Sequence, residues 1–262
     1  MYNSRRSENM AVEKFKTNEN SNIKHVIGIV SGKGGVGKSF VTSLIASELR
    51  RQGKTVGILD ADITGPSIPK SFGITDPAFS DGKHILPSVS KTGVEIMSVN
   101  LILQSPTQPV LWRGPIIGNA LSQFFSEVNW GDLDYLLVDM PPGTGDVALT
   151  VFQSMPVDGA VIVTSPQDLV SMIVEKAVNM TKAMNVKVLG LVENMSYFKC
   201  PCCGEVSRIY GESSLDREAL KYNIENKAAL PMQSNFAKLV DEGNVEDIEI
   251  DEIKDFVKNL MR

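Results

Sequence analysis

The chain has 262 residues, 42% of them hydrophobic and 22% charged, a globular composition that suffices for one sizeable α/β domain. A formal net charge of −5 at pH 7 argues against a generic nucleic-acid-binding surface. No apolar run reaches the length of a membrane span, and the N-terminus lacks the apolar core of a signal peptide. We therefore expect a cytoplasmic protein with neither a nucleic-acid nor a membrane partner.

The N-terminal segment, residues 1–22, is polar, mixed in charge and without hydrophobic periodicity. This composition predicts a flexible tail ahead of the folded part of the chain.

A phosphate-binding motif follows the first predicted strand, a short apolar run that ends at Val30. Residues 32–39 fit G-x-x-x-x-G-K-[ST] without a gap and are Gly32, Lys33, Gly34, Gly35, Val36, Gly37, Lys38 and Ser39. The glycines let backbone N–H groups wrap a phosphate, Lys38 would contact its β- and γ-oxygens, and Ser39 would bind Mg²⁺. Residues 40–51 predict a helix whose N-terminus favours the same anion.

A second lysine, Lys33, directly follows the first glycine of this loop, a position that an ordinary phosphate loop leaves free. A functional contact and a solvated loop lysine are both compatible with this residue alone.

Carboxylates follow two further predicted strands. Asp60 and Asp62 come after the strand at residues 55–59 and lie on the same side of the chain. Mg²⁺ and an attacking water would explain two carboxylates at a sheet edge, whereas a turn cap is the alternative for each. The strand at 135–138 ends at Asp139, which has the form of a Walker B aspartate followed by a glycine switch.

The sequence allows two interpretations for each of two later polar residues. Arg113 precedes a predicted helix and is either a phosphate or partner contact or a surface arginine. Asn194 stands at the exit of the strand predicted at 188–192, where it either reads a purine edge or forms a turn.

The three cysteines lie within four residues, and Cys200 and Cys203 have C-x-x-C spacing. Two thiolates are half of the set that a zinc site or a cubane cluster needs, and a homodimer would complete it by symmetry. A thioredoxin-like redox pair, a zinc knuckle and inert thiols are the alternatives.

Strands alternating with helices, and functional side chains at strand ends, predict a doubly wound, mainly parallel α/β sheet over residues 23–262. The last predicted helix has apolar residues at helical spacing with an acidic flank, so it should pack on the core and not on an anionic membrane.

Five stretches in this order resemble the Mrp family, the iron–sulfur carrier branch of the MinD/ParA-type P-loop NTPases with a deviant Walker motif. They are residues 32–39, 60–67, 112–115, 139–146 and 200–204. The resemblance implies a P-loop ATPase domain of the MinD and nitrogenase-reductase type over residues 23–262, with a cluster-binding segment at 200–203.

The resemblance also implies roles for single residues. Residues 32–40, from Gly32 to Phe40, would bind the nucleotide, and Lys38, Ser39 and Asp139 would have their Walker roles with ATP and Mg²⁺. Lys33 would reach across a dimer to the partner's phosphates, Asp62 would orient the attacking water, and Asp60 would lie near Mg²⁺.

Asn194 matches the residue that reads adenine in this superfamily. Cys200 and Cys203 match the pair that, two from each subunit, bridges a [4Fe–4S] cluster, with zinc as the alternative metal. The implied function is ATP-dependent transfer of that cluster from a homodimer to apo iron–sulfur proteins.

The chain departs from the family pattern in three respects. Cys202 adds a third thiol, which leaves the identity of the ligand pair open. The tail has no cysteine cluster, and the small N-terminal domain of some bacterial members is not expected here.

Two other functions remain as alternatives. A MinD- or ParA-like spatial-organisation ATPase should have a basic amphipathic C-terminal helix, which is acidic here. An electron donor of the nitrogenase-reductase kind normally has its cluster cysteines far apart in sequence.

Overall fold

The computed structural model describes residues 14–62, 67–102, 114–143, 145–166 and 170–261. The strands in these ranges are β1 Asn22–Val30, β2 Val56–Asp60, β3 Phe79–Ser80, β4 Ile85–Leu86, β5 Ser88–Val89, β6 Glu95–Ser98, β7 Asp132–Asp139, β8 Gly159–Thr164, β9 Lys187–Lys199, β10 Val206–Ser207 and β11 Lys227–Met232. The helices are α1 Lys38–Arg51, α2 Ile68–Ser71, α3 Gly114–Ser126, α4 Asp146–Ser154, α5 Val170–Ala183, α6 Leu215–Tyr222, α7 Ser234–Asp241 and α8 Asp251–Leu260.

Within these ranges, nine strands form one sheet in the order β10-β9-β8-β1-β7-β2-β6-β5, and β11 pairs with β9 outside that path. Pairing is parallel everywhere except at the edge strands β5 and β10. Strands β2 and β8 are buried along their whole length, as continuous apolar runs covered on both faces should be.

Helices cover both faces of the sheet. Apolar residues of α1, α7 and α8 pack on one face, whereas those of α3, α4, α5 and α6 pack on the other. The predicted doubly wound, mainly parallel α/β sheet is confirmed.

The first described residues differ from the predicted flexible tail. The Lys14 ammonium donates to the carbonyls of Phe152 and Met155 at 2.9 and 2.8 Å, at the C-terminus of α4. The Asn18 amide donates to the Val128 carbonyl at 2.8 Å, and β1 begins at residue 22, four residues before the apolar run. A lysine that donates to carbonyls at the end of a helix is favoured by the helix dipole, and a search for hydrophobic periodicity does not detect this contact.

Strand β9 is much longer than the strand predicted at 188–192. Past the end of β8, its last residues pair with Pro231 and Met232 of β11 and with Val206 and Ser207 of β10. The prediction stopped at Glu193 because polar residues interrupt the apolar run there, yet neighbouring strands continue the ladder on both sides.

The C-terminal helix α8 buries Ile253, Phe256 and Val257 against the core. This confirms that its apolar face packs inside the protein. No helix in the described ranges is long and apolar enough to cross a lipid bilayer. Arg113, singled out by its sequence context, lies outside the described residues, as do residues 63–66.

Candidate functional site

Parallel pairing brings the predicted phosphate loop and the carboxylates to one edge of the sheet. In register, Asp139 at the end of β7 stands beside Ile29 of β1 and Asp60 of β2. The loop after β1 therefore meets both carboxylates, because the carboxyl ends of neighbouring parallel strands lie together.

The loop turns through two glycines in the left-handed region, Gly35 and Gly37, each with a φ of 80°. Residues with a Cβ rarely adopt this backbone conformation, so the turn requires glycine at both positions. A Cβ added at Gly35 would contact nothing within 4 Å, so the loop backbone is open for the approach of a ligand. Helix α1 begins immediately afterwards at Lys38, and its N-terminal N–H groups extend the anion-binding surface.

A cavity of about 320 Å³ lies beside this loop. Its lining includes these predicted residues: Gly34, Gly35, Gly37, Lys38, Ser39, Phe40 and Asp62. Ser31, Ser67, Ser71, Pro142 and Val240 complete it. The Phe40 ring is half-buried and its centroid lies 5.7 Å from that of Phe236, which makes this end of the cavity aromatic.

The centre of the site is a buried ion pair. Lys38 Nζ lies 2.8 Å from Asp139 Oδ2, and the Lys38 and Asp139 side chains are 5% and 0% exposed. The Ser39 hydroxyl donates to Asp139 Oδ2 at 2.6 Å, and the Thr42 hydroxyl donates to Oδ1 at 2.7 Å. Asp62 Oδ2 lies 4.0 Å from Lys38 Nζ, so both carboxylates face the same ammonium.

Asp60 is buried behind this pair. Its carboxylate accepts hydrogen bonds from the Asp62 N–H and the Ser98 hydroxyl, both at 3.1 Å. Burial, together with repulsion from Asp139, raises the pKa of Asp60 to about 8.

The donor set fits Mg²⁺. A hard divalent cation prefers hydroxyl, carboxylate, phosphate and water oxygens, and Ser39, Asp60 and Asp139 offer the first two kinds. In the described ranges, no group of three or more His, Cys, Asp or Glu side chains is arranged to hold a metal ion. A phosphate-loop magnesium site needs fewer protein ligands, because phosphate oxygens and waters complete its octahedron.

The remaining predicted loop residues lie away from the cavity. Lys33 is exposed on the loop, and Val36 is buried in the core beneath it. A Cβ at Gly32 would lie 2.5 Å from the Ile173 carbonyl oxygen, so this glycine permits close packing of α5 against the loop.

Asn194 lies inside β9, where its amide Nδ2 donates to the Val36 carbonyl of the loop at 3.0 Å. The residue is 4% exposed and is not part of the cavity lining. Its predicted contact with adenine stays a prediction.

The cysteines occupy the turn between β9 and β10. The Cys200 N–H donates to the Glu205 carbonyl at 2.9 Å, and the Gly204 N–H donates to the Cys200 carbonyl at 2.8 Å. Cys202 and Cys203 are exposed, and Cys200 is half-buried. The backbone N–H groups of Cys203 and Cys202 lower the pKa of the Cys200 thiol, which favours the thiolate that binds metals.

A family model for ParA-type proteins, described as an NUBPL iron-transfer P-loop NTPase, matches residues 22–262. The chain belongs to this family. The match starts at the first residue of β1 and therefore covers both the phosphate loop and the cysteine turn.

Curated relatives carry a common name. An iron-sulfur cluster carrier protein of Clostridium perfringens is 44% identical over 86% of this chain and 82% of its own length. A protein of the same name from Methanocaldococcus jannaschii is 45% identical over 89% of this chain and 82% of its own length.

Solved structures agree with the fold. A nucleotide-binding protein of Archaeoglobus fulgidus, in complex with ADP, is 44% identical over 89% of this chain and 92% of that chain, with a TM-score of 0.81. The MinD cell division protein of Aquifex aeolicus is 21% identical over 90% of this chain and 96% of that chain, with a TM-score of 0.64. At that identity the MinD similarity concerns the fold alone.

Sequence reasoning missed several hydroxyl residues of the site, among them Thr42, Ser98 and Ser31. Thr42 and Ser98 hold Asp139 and Asp60. Ser31 is 2% exposed and lines the cavity, and its hydroxyl has no hydrogen-bond partner among the described residues. Two features of the sequence could have indicated these residues. Thr42 follows Lys38 by one helical turn, and Ser31 directly precedes the first glycine of the loop.

An orphaned hydroxyl at a cavity wall predicts a ligand contact for Ser31. The substitution Ser31→Ala should not lower the free energy of unfolding of the nucleotide-free protein, because no bond to the described residues is lost. It should weaken ADP binding about fivefold, the size of one hydrogen bond. Calorimetric titration with ADP and urea unfolding measure both effects.

Ser47→Ala is the matched control. The Ser47 hydroxyl is buried and donates to the Ser43 carbonyl within α1 at 2.8 Å. Its loss should cost about 1 kcal/mol of stability and leave ADP binding unchanged. Unaltered ADP binding by the Ser31 variant would show that its hydroxyl does not face the nucleotide.

Proposed function

We propose that this protein is an ATP-hydrolysing carrier that holds a [4Fe–4S] cluster between two copies of itself and delivers it to apo iron–sulfur proteins. The observation that carries the proposal is one strand, β9, that contacts the phosphate loop through Asn194 and ends one residue before Cys200. The names of the curated relatives support the same function.

The nucleotide would lie in the cavity beside the phosphate loop. In this position the Lys38 ammonium would contact the β- and γ-phosphates, where it stabilises the charge of the reacting group. Ser39, Asp60 and Asp139 would hold Mg²⁺, which would supply positive charge to neutralise the phosphates. Asp62 faces Lys38 at the cavity wall and would orient the attacking water.

Lys33 would act on the partner's nucleotide. It is exposed and absent from the cavity lining of its own chain, whereas Lys38 of the same loop is buried against Asp139. A lysine on the outer side of the loop can contact a second copy that faces it. This places ATP hydrolysis under the control of dimerisation.

The cluster is the cargo, and Cys200 and Cys203 would bind it. Their exposed turn offers two thiolates, and a two-fold partner would supply the other two that a cubane needs. A cluster shared in this way is more accessible than one enclosed by a single chain, as suits a protein that donates it to apo recipients. Cytoplasmic localisation of the carrier remains a prediction.

A spatial-organisation ATPase is the second candidate, and the C-terminal helix argues against it. Such a protein would use an amphipathic C-terminal helix on a membrane. In this chain the apolar residues of α8 are buried on the core, and its first turn carries Asp251 and Glu252.

Mixed dimers test the role of Lys33. Lys33→Ala and Asp62→Ala should each lose ATP hydrolysis as homodimers, yet their mixture should recover activity. One site of each mixed dimer then contains an intact Asp62 and an intact lysine from the partner. Random pairing should restore about a quarter of wild-type activity, because half of the dimers are mixed and each has one intact site.

Phosphate release from ATP measures this recovery, and native mass spectrometry counts the mixed dimers. Abundant mixed dimers without activity would show that Lys33 acts within its own subunit.

Cysteine variants test the cluster. After anaerobic reconstitution, the wild type should bind about two irons and two sulfides per chain, the stoichiometry of one cubane per dimer. Cys200→Ser and Cys203→Ser should each lose most of this iron. Cys202→Ser is the matched control, since it removes a thiol from the same turn and should keep the cluster.

Iron and sulfide assays, with the absorption spectrum, give the result. Two results together would contradict the carrier function. The protein would hold zinc that iron and sulfide do not displace, and the cysteine variants would lose stability but no other property.

A further inference from the structure

Asn194 makes its best-defined contact with protein backbone. Its Nδ2 donates to the Val36 carbonyl oxygen at 3.0 Å, and Asn194 and Val36 are 4% and 3% exposed. A hydrogen bond between two groups so well shielded from water is costly to lose, because its carbonyl would remain buried without a partner.

An irregularity in β9 directs this side chain at the loop. Pairing with β8 ends at Glu193 opposite Thr164, and pairing with β11 shifts register before it resumes at Tyr197 opposite Pro231. Met195, between these points, has a φ of 57°, a left-handed conformation that a residue other than glycine rarely adopts. Bulges of this kind re-aim side chains and are frequent beside active sites.

Gly37 permits the contact. A Cβ built at Gly37 would lie 2.2 Å from Asn194 Nδ2, closer than any real contact. The amide therefore packs on two successive loop residues, Val36 and Gly37, immediately before Lys38.

The Val36 carbonyl and the Gly37 N–H belong to one planar trans peptide group, in which they point in opposite directions. A donor that fixes the carbonyl on the β9 side also fixes the N–H on the other side. Gly37 lines the nucleotide cavity, whereas Asn194 does not. The bond from Asn194 thus sets the direction of a backbone donor that is placed to meet phosphate.

We propose that Asn194 is a positioning residue for the phosphate loop, acting through the Val36–Gly37 peptide. This rests on the part of the proposed function that assigns the cavity to a nucleotide. The same bond joins the loop to the strand that ends beside Cys200, six residues or roughly 20 Å further along β9.

Comparing a ligand that has an adenine base with one that has none distinguishes this role from adenine recognition. Asn194→Leu keeps the branched heavy-atom skeleton of the side chain and removes the donor, and Asn194→Ala is the second variant in case the first fails to fold. Inhibition constants of ADP and of inorganic pyrophosphate, each with Mg²⁺, are measured by competition with a fluorescent ADP analogue. Both ligands should bind about tenfold more weakly, by the same factor, because both depend on the loop.

Asn226→Leu is the matched control. Asn226 also donates through Nδ2 to a backbone carbonyl, that of Phe256, at 3.0 Å, but it precedes β11 and lies outside the cavity lining. Its substitution should leave both inhibition constants unchanged.

Weakening confined to ADP would overturn the proposal and assign Asn194 to the base. Unchanged binding of both ligands by the variants would also overturn it, since the loop would then hold its shape without this bond. Wild-type protein that binds neither ligand would instead refute the assignment of the cavity to a nucleotide.

Discussion

The buried contact between Lys38 and Asp139 joins the two halves of the candidate nucleotide site. The ammonium comes from the start of α1 and the carboxylate from the end of β7, 101 residues later, yet they lie 2.8 Å apart. Two charges this deeply buried are tolerated because they are paired, and the Ser39 and Thr42 hydroxyls in addition donate hydrogen bonds to the Asp139 carboxylate. The pair also keeps Lys38 next to the position that we assign to the phosphates.

The second feature on which the proposals depend is the length of β9. A strand confined to residues 188–192, as predicted from the sequence, would leave the cysteines on a long loop without strand pairing. Because β10 and β11 pair with its last residues, β9 carries the cysteine turn on the edge of the main sheet. One continuous strand therefore contacts the phosphate loop through Asn194 and ends at the cysteine turn.

The mainly parallel α/β class of the sheet and most residues of the candidate phosphate site could be predicted from sequence, because continuous apolar strands and the glycine spacing of the loop are local signals. The hydrogen bonds of Thr42 and Ser98 could not, since they depend on strand register and on a helix that follows. The length of β9 and the contacts of Lys14 could not be predicted for a related reason. Backbone pairing and carbonyl contacts with distant segments determine both, and neither leaves a hydrophobic period in the sequence.

The proposed carrier function requires each chain to hold half of a cluster site. Native mass spectrometry of the anaerobically reconstituted protein tests it most directly, because it weighs chains and bound atoms together. A shared cluster should give one species of two chains with four irons and four sulfides, and metal-free single chains once the cluster is removed by chelation. A single chain that carries a complete cluster, or a dimer with a separate metal ion on each chain, would contradict it.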